Sequence, residues 1–451
     1  MNSSILLTSP VNTALRKMTV PMMFGLGMLM SFNLIDTFYV SMLGTESLAA
    51  FSFTFSITFG LISLAIGIGV GVSAVVAKTL GQKNLALSRQ HATVSLVISA
   101  VMVCALAFVG LYFLRQTFTL LGASESQIEL ISQYMTPWFL GSLVIIMPMI
   151  GNSVMRATGD TKTPAKVMAL GAVLNALLDP LFIFGWGPVP AMGIAGAAIA
   201  SILANVCSCT IIYYKLALGY KLLGWGYSVK QGVDSAQQIL KIALPAAASN
   251  MMTPLSSAIL IAMVASYGNE AVAAFGVGSR IESFAIIVVL ALSMSLPPFV
   301  SQNYGAKQYL RVREAYFSGV KFVIVWQIFI YCMLFASVNF LANWFASDPK
   351  VVALISLYLT IIPLTHGLVG VTILSNSTLN ALHKPLASLG LNIFRLFVCL
   401  LPFAYIGSLL GDILGLIIGV ACAAGVSGLL AFFLLLIELN QLSQGPKAVI
   451  K

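Results

Sequence analysis

Residues 18–43 read MTVPMMFGLGMLMSFNLIDTFYVSML, 26 residues with one formal charge, Asp36, and a proline, Pro21, fifteen positions before it. As a helix this stretch would reach about 39 Å, more than the ~30 Å hydrocarbon core of a bilayer. It reads as a membrane span. A carboxylate inside such a span costs roughly 2.5 kcal/mol or more to insert, so a chain that keeps one there marks it as a functional candidate.

The same reading extends to the whole chain. Of 451 residues, 59% are apolar and 8% charged, with a mean hydropathy of +1.00; ordinary soluble domains carry about 25% charged residues. Twelve apolar runs have helical length, at about 15–43, 48–78, 91–119, 128–153, 164–186, 192–217, 241–267, 272–301, 316–345, 351–380, 386–406 and 412–438. The expected fold is therefore an all-α integral membrane protein of twelve transmembrane helices. Nineteen of the 23 Lys and Arg residues fall at the N-terminus and in alternate loops. That bias predicts both termini in the cytoplasm and a multi-pass protein of the inner membrane, and it accounts for the basic pI of 9.3 with no nucleic-acid partner. The six cysteines sit mostly in apolar runs without a C-x-x-C pair, the histidines (His91, His366, His383) are scattered, and no phosphate-binding loop or H-E-x-x-H motif occurs. Neither ATP hydrolysis nor a metal or other cofactor is expected.

Self-comparison reveals a duplication. At one constant offset along the chain, Lys17 and Pro21 match Lys241 and Pro245, and GTESLAAF (44–51) matches GNEAVAAF (268–275). The same shift pairs Gly81, Lys83 and Arg89 with Gly305, Lys307 and Arg313, Tyr134 with Tyr358, and Asn152-Ser153 with Asn376-Ser377. The chain thus divides into an N-terminal lobe (1–217), a more polar cytoplasmic linker (218–240) and a C-terminal lobe (241–451). Six spans is an even number, so both six-helix lobes run in the same sense, related by a pseudo-two-fold axis along the membrane normal. A substrate chamber between such halves is a known transporter plan.

Residues that break a duplication are better functional candidates than residues that keep it. Asp36 aligns with Leu260, and Asp179 falls opposite Leu396, while Asn175 aligns with Asn392 after a short shift in register. Asp36, Asp179 and Tyr134 each lie roughly 8–12 Å below the outer face by helix rise. Asn33 and Asp36, and likewise Asn175 and Asp179, share a helix face. Two carboxyls, two amides and a phenol could then meet in the outer half of the first lobe. Burial and a neighbouring acid both disfavour a charged carboxylate, which suits proton exchange; the same oxygens also suit sodium, and a purely structural polar network is the bland alternative. In the eighth span Arg280 and Glu282 are two apart, so they do not pair as helix neighbours, and each is expected to find its partner elsewhere in the second lobe. Pro21 removes a backbone hydrogen bond and makes the first helix bendable, although its duplicate Pro245 allows an architectural reading equally.

The pattern P-x14-D within NLIDTFYV, GTESLAAF after it, the loop LGQKNLALSR, the segment NSVMRATGDTKTP and LNALLDPLFIFG together resemble the multidrug and toxic compound extrusion (MATE) family over essentially the whole chain. Acids confined to the first lobe resemble its DinF-like branch. The resemblance implies a two-lobe monomeric antiporter with a V-shaped cleft, exporting drugs or organic cations through the lipid bilayer against inward H⁺ or Na⁺. It implies Asp36 as the coupling carboxylate, Tyr134, Asn175 and Asp179 in its hydrogen-bond network, and Pro21 as the bend. The family's hydroxyl on span six would here be Ser201. The rival readings are a lipid-linked oligosaccharide flippase of the same superfamily, disfavoured because only Arg280 and Arg395 are cationic within spans, an integral membrane enzyme, and a passive channel.

Overall fold

The computed structural model describes residues 3–443, and the side chains of residues 3–5, Asn33 and Ser443 lie outside that description. Within it all regular structure is helical, apart from one isolated bridge between Trp186 and Val189. In chain order the α-helices are α1 (Ser3–Thr8), α2 (Val11–Ser41), α3 (Thr45–Gly81), α4 (Leu85–Tyr112), α5 (Leu114–Leu120), α6 (Glu125–Ala157), α7 (Lys162–Phe184), α8 (Ile194–Tyr214), α9 (Val229–Ala265), α10 (Asn269–Ala285), α11 (Ile287–Gly305), α12 (Tyr309–Ala336), α13 (Val338–Phe345), α14 (Pro349–Ile361), α15 (His366–Ala381), α16 (Pro385–Ile393) and α17 (Leu401–Ser443).

Ten helical stretches among the described residues are long and apolar enough to cross a bilayer, and α10 with α11, bent by 46° at their junction, makes one more. One of the ten, Pro385–Leu442, runs for 58 residues and would reach ~87 Å as a single rod. Instead it folds back. Gly411 and Asp412 leave helical dihedrals (φ −155°, ψ 31° and φ 50°, ψ −137°), and a Cβ on Gly407 would come within 2.1 Å of the Gly415 carbonyl oxygen. Only glycine lets the two legs press backbone to backbone.

Some of the helices begin where a side chain supplies the free N–H groups with acceptors. Asn84 accepts from the Leu87 amide at 3.0 Å ahead of α4, Ser124 and Gln127 form a reciprocal capping box ahead of α6, and Asp348 accepts from the Lys350 amide at 2.8 Å ahead of α14. The duplication is written into the backbone too. Gly44 and Gly268 turn with φ of +108° and +102°, Lys83 and Lys307 both occupy the left-handed region at φ +59° and +60°, and Gly159 is matched there by His383. The break between α4 and α5 at Phe113 recurs, at the offset of the duplication, between α12 and α13 at Ser337. The halves differ at the second span of each: α3 is continuous for 37 residues, whereas its counterpart breaks at Ile286 into α10 and α11.

Two compact units result. Among the described residues, unit 1 comprises residues 3–5 and Val20–Ala247, and unit 2 comprises Leu6–Thr19 and the chain from Ala248 onward. Each of the two matching helices, α2 and α9, therefore starts in one unit and ends in the other. Pro21 and Pro245, duplicates of each other, sit within two residues of those two crossing points. In unit 1, α9 lies against glycines of α3: a Cβ on Gly67 would stand 2.3 Å from the Ala247 Cα, and one on Gly71 2.9 Å from the Ala243 nitrogen. Close backbone approach of this kind replaces the hydrophobic drive that lipid does not supply. In unit 2 the segment from Leu6 packs on α11, α12, α15 and α17 through Leu6, Val11, Leu15 and Met18. Arg311 holds it there, donating to the carbonyls of Leu6 (3.0 Å) and Ser9 (2.7 Å) and to the Asn303 amide oxygen (2.9 Å).

The polar stretch 218–240 is bound to unit 1. Arg89 Nε donates to the Lys221 carbonyl at 2.7 Å, Gln90 to Gln231 O at 2.8 Å and to Ser235 Oγ at 2.7 Å, and the Gly224 amide to Thr93 Oγ1 at 3.1 Å. The Tyr220 hydroxyl donates to the carboxylate of Asp160 in the α6–α7 loop. Partial burial pushes the Asp160 carboxyl up, but hydrogen bonds from Thr163, Tyr220 and the Lys162 amide outweigh it and hold the group below the usual carboxylate range.

Candidate functional site

Three helices of unit 1 carry the acids that break the duplication and the amide and phenol that keep it. Asp36 lies near the end of α2 with 8% exposure, Tyr134 in the third turn of α6, Asn175 and Asp179 one turn apart on α7, and all four side chains are buried. The i, i+4 spacing on α7 places Asn175 Nδ2 3.2 Å from Asp179 Oδ1, to which it donates. The same amide donates to Ser201 Oγ on α8 at 3.3 Å. The charge of Asp36 acts on Asp179, and both acids act on the Tyr134 phenol. Phe51 of α3 fixes that ring edge-on, with centroids 5.2 Å apart.

This pocket is rich in acceptors and poor in donors. Asp36 Oδ1, Asp179 Oδ2 and Asn175 Oδ1 are all buried, and none has a hydrogen-bond partner among the described residues. A buried acceptor without a donor costs ~1–3 kcal/mol. A proton on either carboxyl turns an acceptor into a donor and removes part of that cost; a small cation ligated by the same oxygens would do likewise.

The structure thus gathers Asp36, Tyr134, Asn175, Asp179 and Ser201 in unit 1. The side chain of Asn33 lies outside the described residues. Pro21 is inside α2, about 22 Å along the helix from Asp36 by rise, and so acts on the pocket, if at all, only through the helix. Arg280 is exposed and forms no ion pair among the described residues, contrary to the expectation that each member of the Arg280 and Glu282 pair finds a partner. Glu282 does find partners. The Tyr358 hydroxyl donates to its Oε2 at 2.7 Å, and His366 Nε2 stands 3.5 Å from its Oε1. That separation is longer than an ordinary hydrogen bond and becomes an ion pair only if the imidazole carries a proton, and both ring nitrogens of His366 have no hydrogen-bond partner among the described residues. Tyr358 is the duplicate of Tyr134, and Phe275, the duplicate of Phe51, packs on it edge-on at 5.0 Å. His366 was not singled out from the sequence. The signal was present: at the offset of the duplication it falls on Ser142, so it too breaks the repeat.

The MatE family profile matches residues 21–181 and again 245–406, two stretches that begin on the duplicated prolines Pro21 and Pro245. A protein of Shewanella oneidensis described as an FAD transporter is 37% identical over 430 residues, covering 95% of each chain. The multidrug export protein MepA of Staphylococcus aureus is 24% identical over 455 residues, covering 98% of this chain and 97% of that one. Among solved structures, the Vibrio cholerae MATE transporter VcmN in its bent form superposes with a TM-score of 0.92 at 32% identity, covering 97% of this chain and 99% of that one.

Proposed function

This chain belongs to the MatE family of membrane transporters, and we propose that it is an antiporter that exports an organic small molecule in exchange for an inward proton, with Asp36 as the carboxyl that takes up and releases it. It is a secondary transporter and not an enzyme. In this reading it sits in the inner membrane with both termini cytoplasmic, and the acid pair in unit 1 is the ground for assigning it to the DinF-like branch.

The observation that carries the coupling role is the triad of buried, unpartnered acceptors at Asp36, Asp179 and Asn175. Inside a lipid-bounded unit these atoms cannot draw on bulk water. A proton arriving on Asp36 removes a buried charge, and its loss restores one. Because Asp179, Tyr134 and, through Asn175, Ser201 face the same pocket, that change reaches α6, α7 and α8 together. Pro21 contributes a bendable point in the helix that carries Asp36.

For the cargo, two readings differ in charge. Lipophilic or cationic drugs follow from relatives such as MepA at 24% identity. FAD, two planar ring systems joined by a flexible chain that carries a pyrophosphate dianion, follows from the Shewanella relative at 37% over nearly the whole chain, and the higher identity favours it.

Proteoliposomes carrying the protein test both points. Transport of FAD and of a lipophilic cation dye is measured under a pH gradient alone and then a sodium gradient alone. We expect the pH gradient to drive one of the two cargoes, and Asp36→Asn to lower that flux to the level of empty vesicles while the protein remains folded. Undiminished pH-driven transport by Asp36→Asn would overturn the assignment, and flux under sodium alone would replace the proton by Na⁺.

A further inference from the structure

We propose that unit 2 holds a proton-binding site of its own, in which one proton is shared between His366 and Glu282 while Tyr358 orients the carboxylate. The site shares no residue with the pocket around Asp36, and its evidence is independent of that pocket's role.

The geometry assigns each part. The Tyr358 hydroxyl occupies Glu282 Oε2 at 2.7 Å, which leaves Oε1 directed at His366 Nε2, 3.5 Å away. His366 is 1% exposed, with neither ring nitrogen hydrogen-bonded among the described residues; a fully buried imidazole without partners is costly unless another group comes to it. A proton taken from water onto the Nε2 lone pair makes an imidazolium whose N–H points at Oε1. The result is a neutral pair in place of a half-buried carboxylate held only by Tyr358, with no other bond made or broken. Exchange with the surroundings passes through Glu282, whose side chain is 27% exposed.

His366 is the first residue of α15, so the positive end of that helix lies at the imidazole, and Glu282 is the counter-charge. Of the elements packed against α15, α11 and α16 carry no charged residue, α12 carries Arg311, Arg313, Glu314 and Lys321, and α17 carries Asp412 and Glu438; the other titratable groups there are Tyr304 on α11, Tyr309, Tyr316, Tyr331 and Cys332 on α12, and Tyr405 and Cys422 on α17, with the Tyr316 hydroxyl hydrogen-bonded to Ser375 of α15 at 2.8 Å. From α14 comes Tyr358, and on α10 Arg280 is exposed.

Two comparisons within the chain argue against a mere packing role. In unit 1 the positions equivalent to Glu282 and His366 are Thr58 and Ser142, and the Thr58 hydroxyl bonds to its own helix at the Thr54 carbonyl, 3.1 Å. The tyrosine and phenylalanine are kept in both units, and only unit 2 surrounds its tyrosine with an acid and a base from these positions. The α10–α11 bend also falls four residues after Glu282 at Ile286, where Gln327 donates to the Ala285 carbonyl at 3.1 Å. A change of charge at Glu282 therefore sits next to the one interruption that α3 lacks.

With three histidines in the chain, ¹⁵N-histidine NMR of the full-length protein in nanodiscs reads the site directly, and His366→Gln identifies its signals. On acidification the His366 signals should pass from imidazole to imidazolium. At the pH where half of His366 is protonated in the unmodified protein, Glu282→Gln should lower the imidazolium fraction at least threefold, and Tyr358→Phe should change it measurably with the protein still folded. The same titration should persist in Asp36→Asn, so this outcome is separate from the fate of the coupling proposal. A His366 that stays in one form throughout, or titrates identically in Glu282→Gln, overturns the site.

Discussion

Asp36 and Asp160 show how the same functional group does opposite work according to its donors. Asp160 accepts from two backbone amides and the Tyr220 hydroxyl, so its charge is stabilised and it ties the stretch 218–240 to unit 1. Asp36 has an orphaned oxygen in a buried pocket, so its charge is exposed to whatever proton or cation arrives. Since hydrogen bonds hold Asp160 below the usual range, its stabilisation is complete above the unfolded carboxyl value of about 4 and disappears as pH falls through the lower folded value. Asp160→Asn should thus cost about 1 kcal/mol at neutral pH, visible as a lower melting temperature in detergent. The difference from the unmodified protein should shrink in acid. A constant difference across that range would mean that the charge is not what holds the linker. The sequence made Asp36 legible because a charge in a long apolar run is conspicuous; Asp160, in a polar loop, gave no comparable signal.

At the scale of elements, the first and seventh spans do more than cross the bilayer. Helices α2 and α9 each leave one unit for the other within two residues of a duplicated proline. Pro21 leaves the Lys17 carbonyl without its helical donor, which softens α2 at that crossing. Pro21→Ala should restore the bond, raise thermal stability, and lower the rate of pH-driven transport several-fold with cargo affinity unchanged. Normal transport by Pro21→Ala would reduce the proline to architecture. The proline was readable in the sequence, as was its duplicate; their place at the two crossings was not, because unit membership depends on which neighbours a helix meets.

At the scale of the whole molecule, the duplication explains the architecture and its exceptions locate the chemistry. Unit 1 continues through residues 218–240 to Ala247, and Gly67 and Gly71 of α3 are covered by Ala247, Ala243 and Ile239. Residues 1–217 expressed alone should therefore lack part of their own packing and aggregate. Co-expression of 1–217 with 218–451 should restore a monodisperse particle, as read by size-exclusion chromatography of a fluorescent fusion. A stable, monodisperse 1–217 would show that the exchange is dispensable.

Sequence alone determined the all-helical membrane fold, the two repeats and the acids of the first, because a bilayer demands long apolar helices and makes each charge within them stand out. Only the tertiary structure decided that Asn175 bridges Asp179 and Ser201 while Asp36 keeps a bare oxygen, and that Glu282 of α10 is joined by Tyr358 of α14 and by His366 at the start of α15. The reason is physical: helical periodicity tells which residues share one helix face, but which faces meet depends on the close approaches that glycines permit and on the turns that bring distant helices side by side.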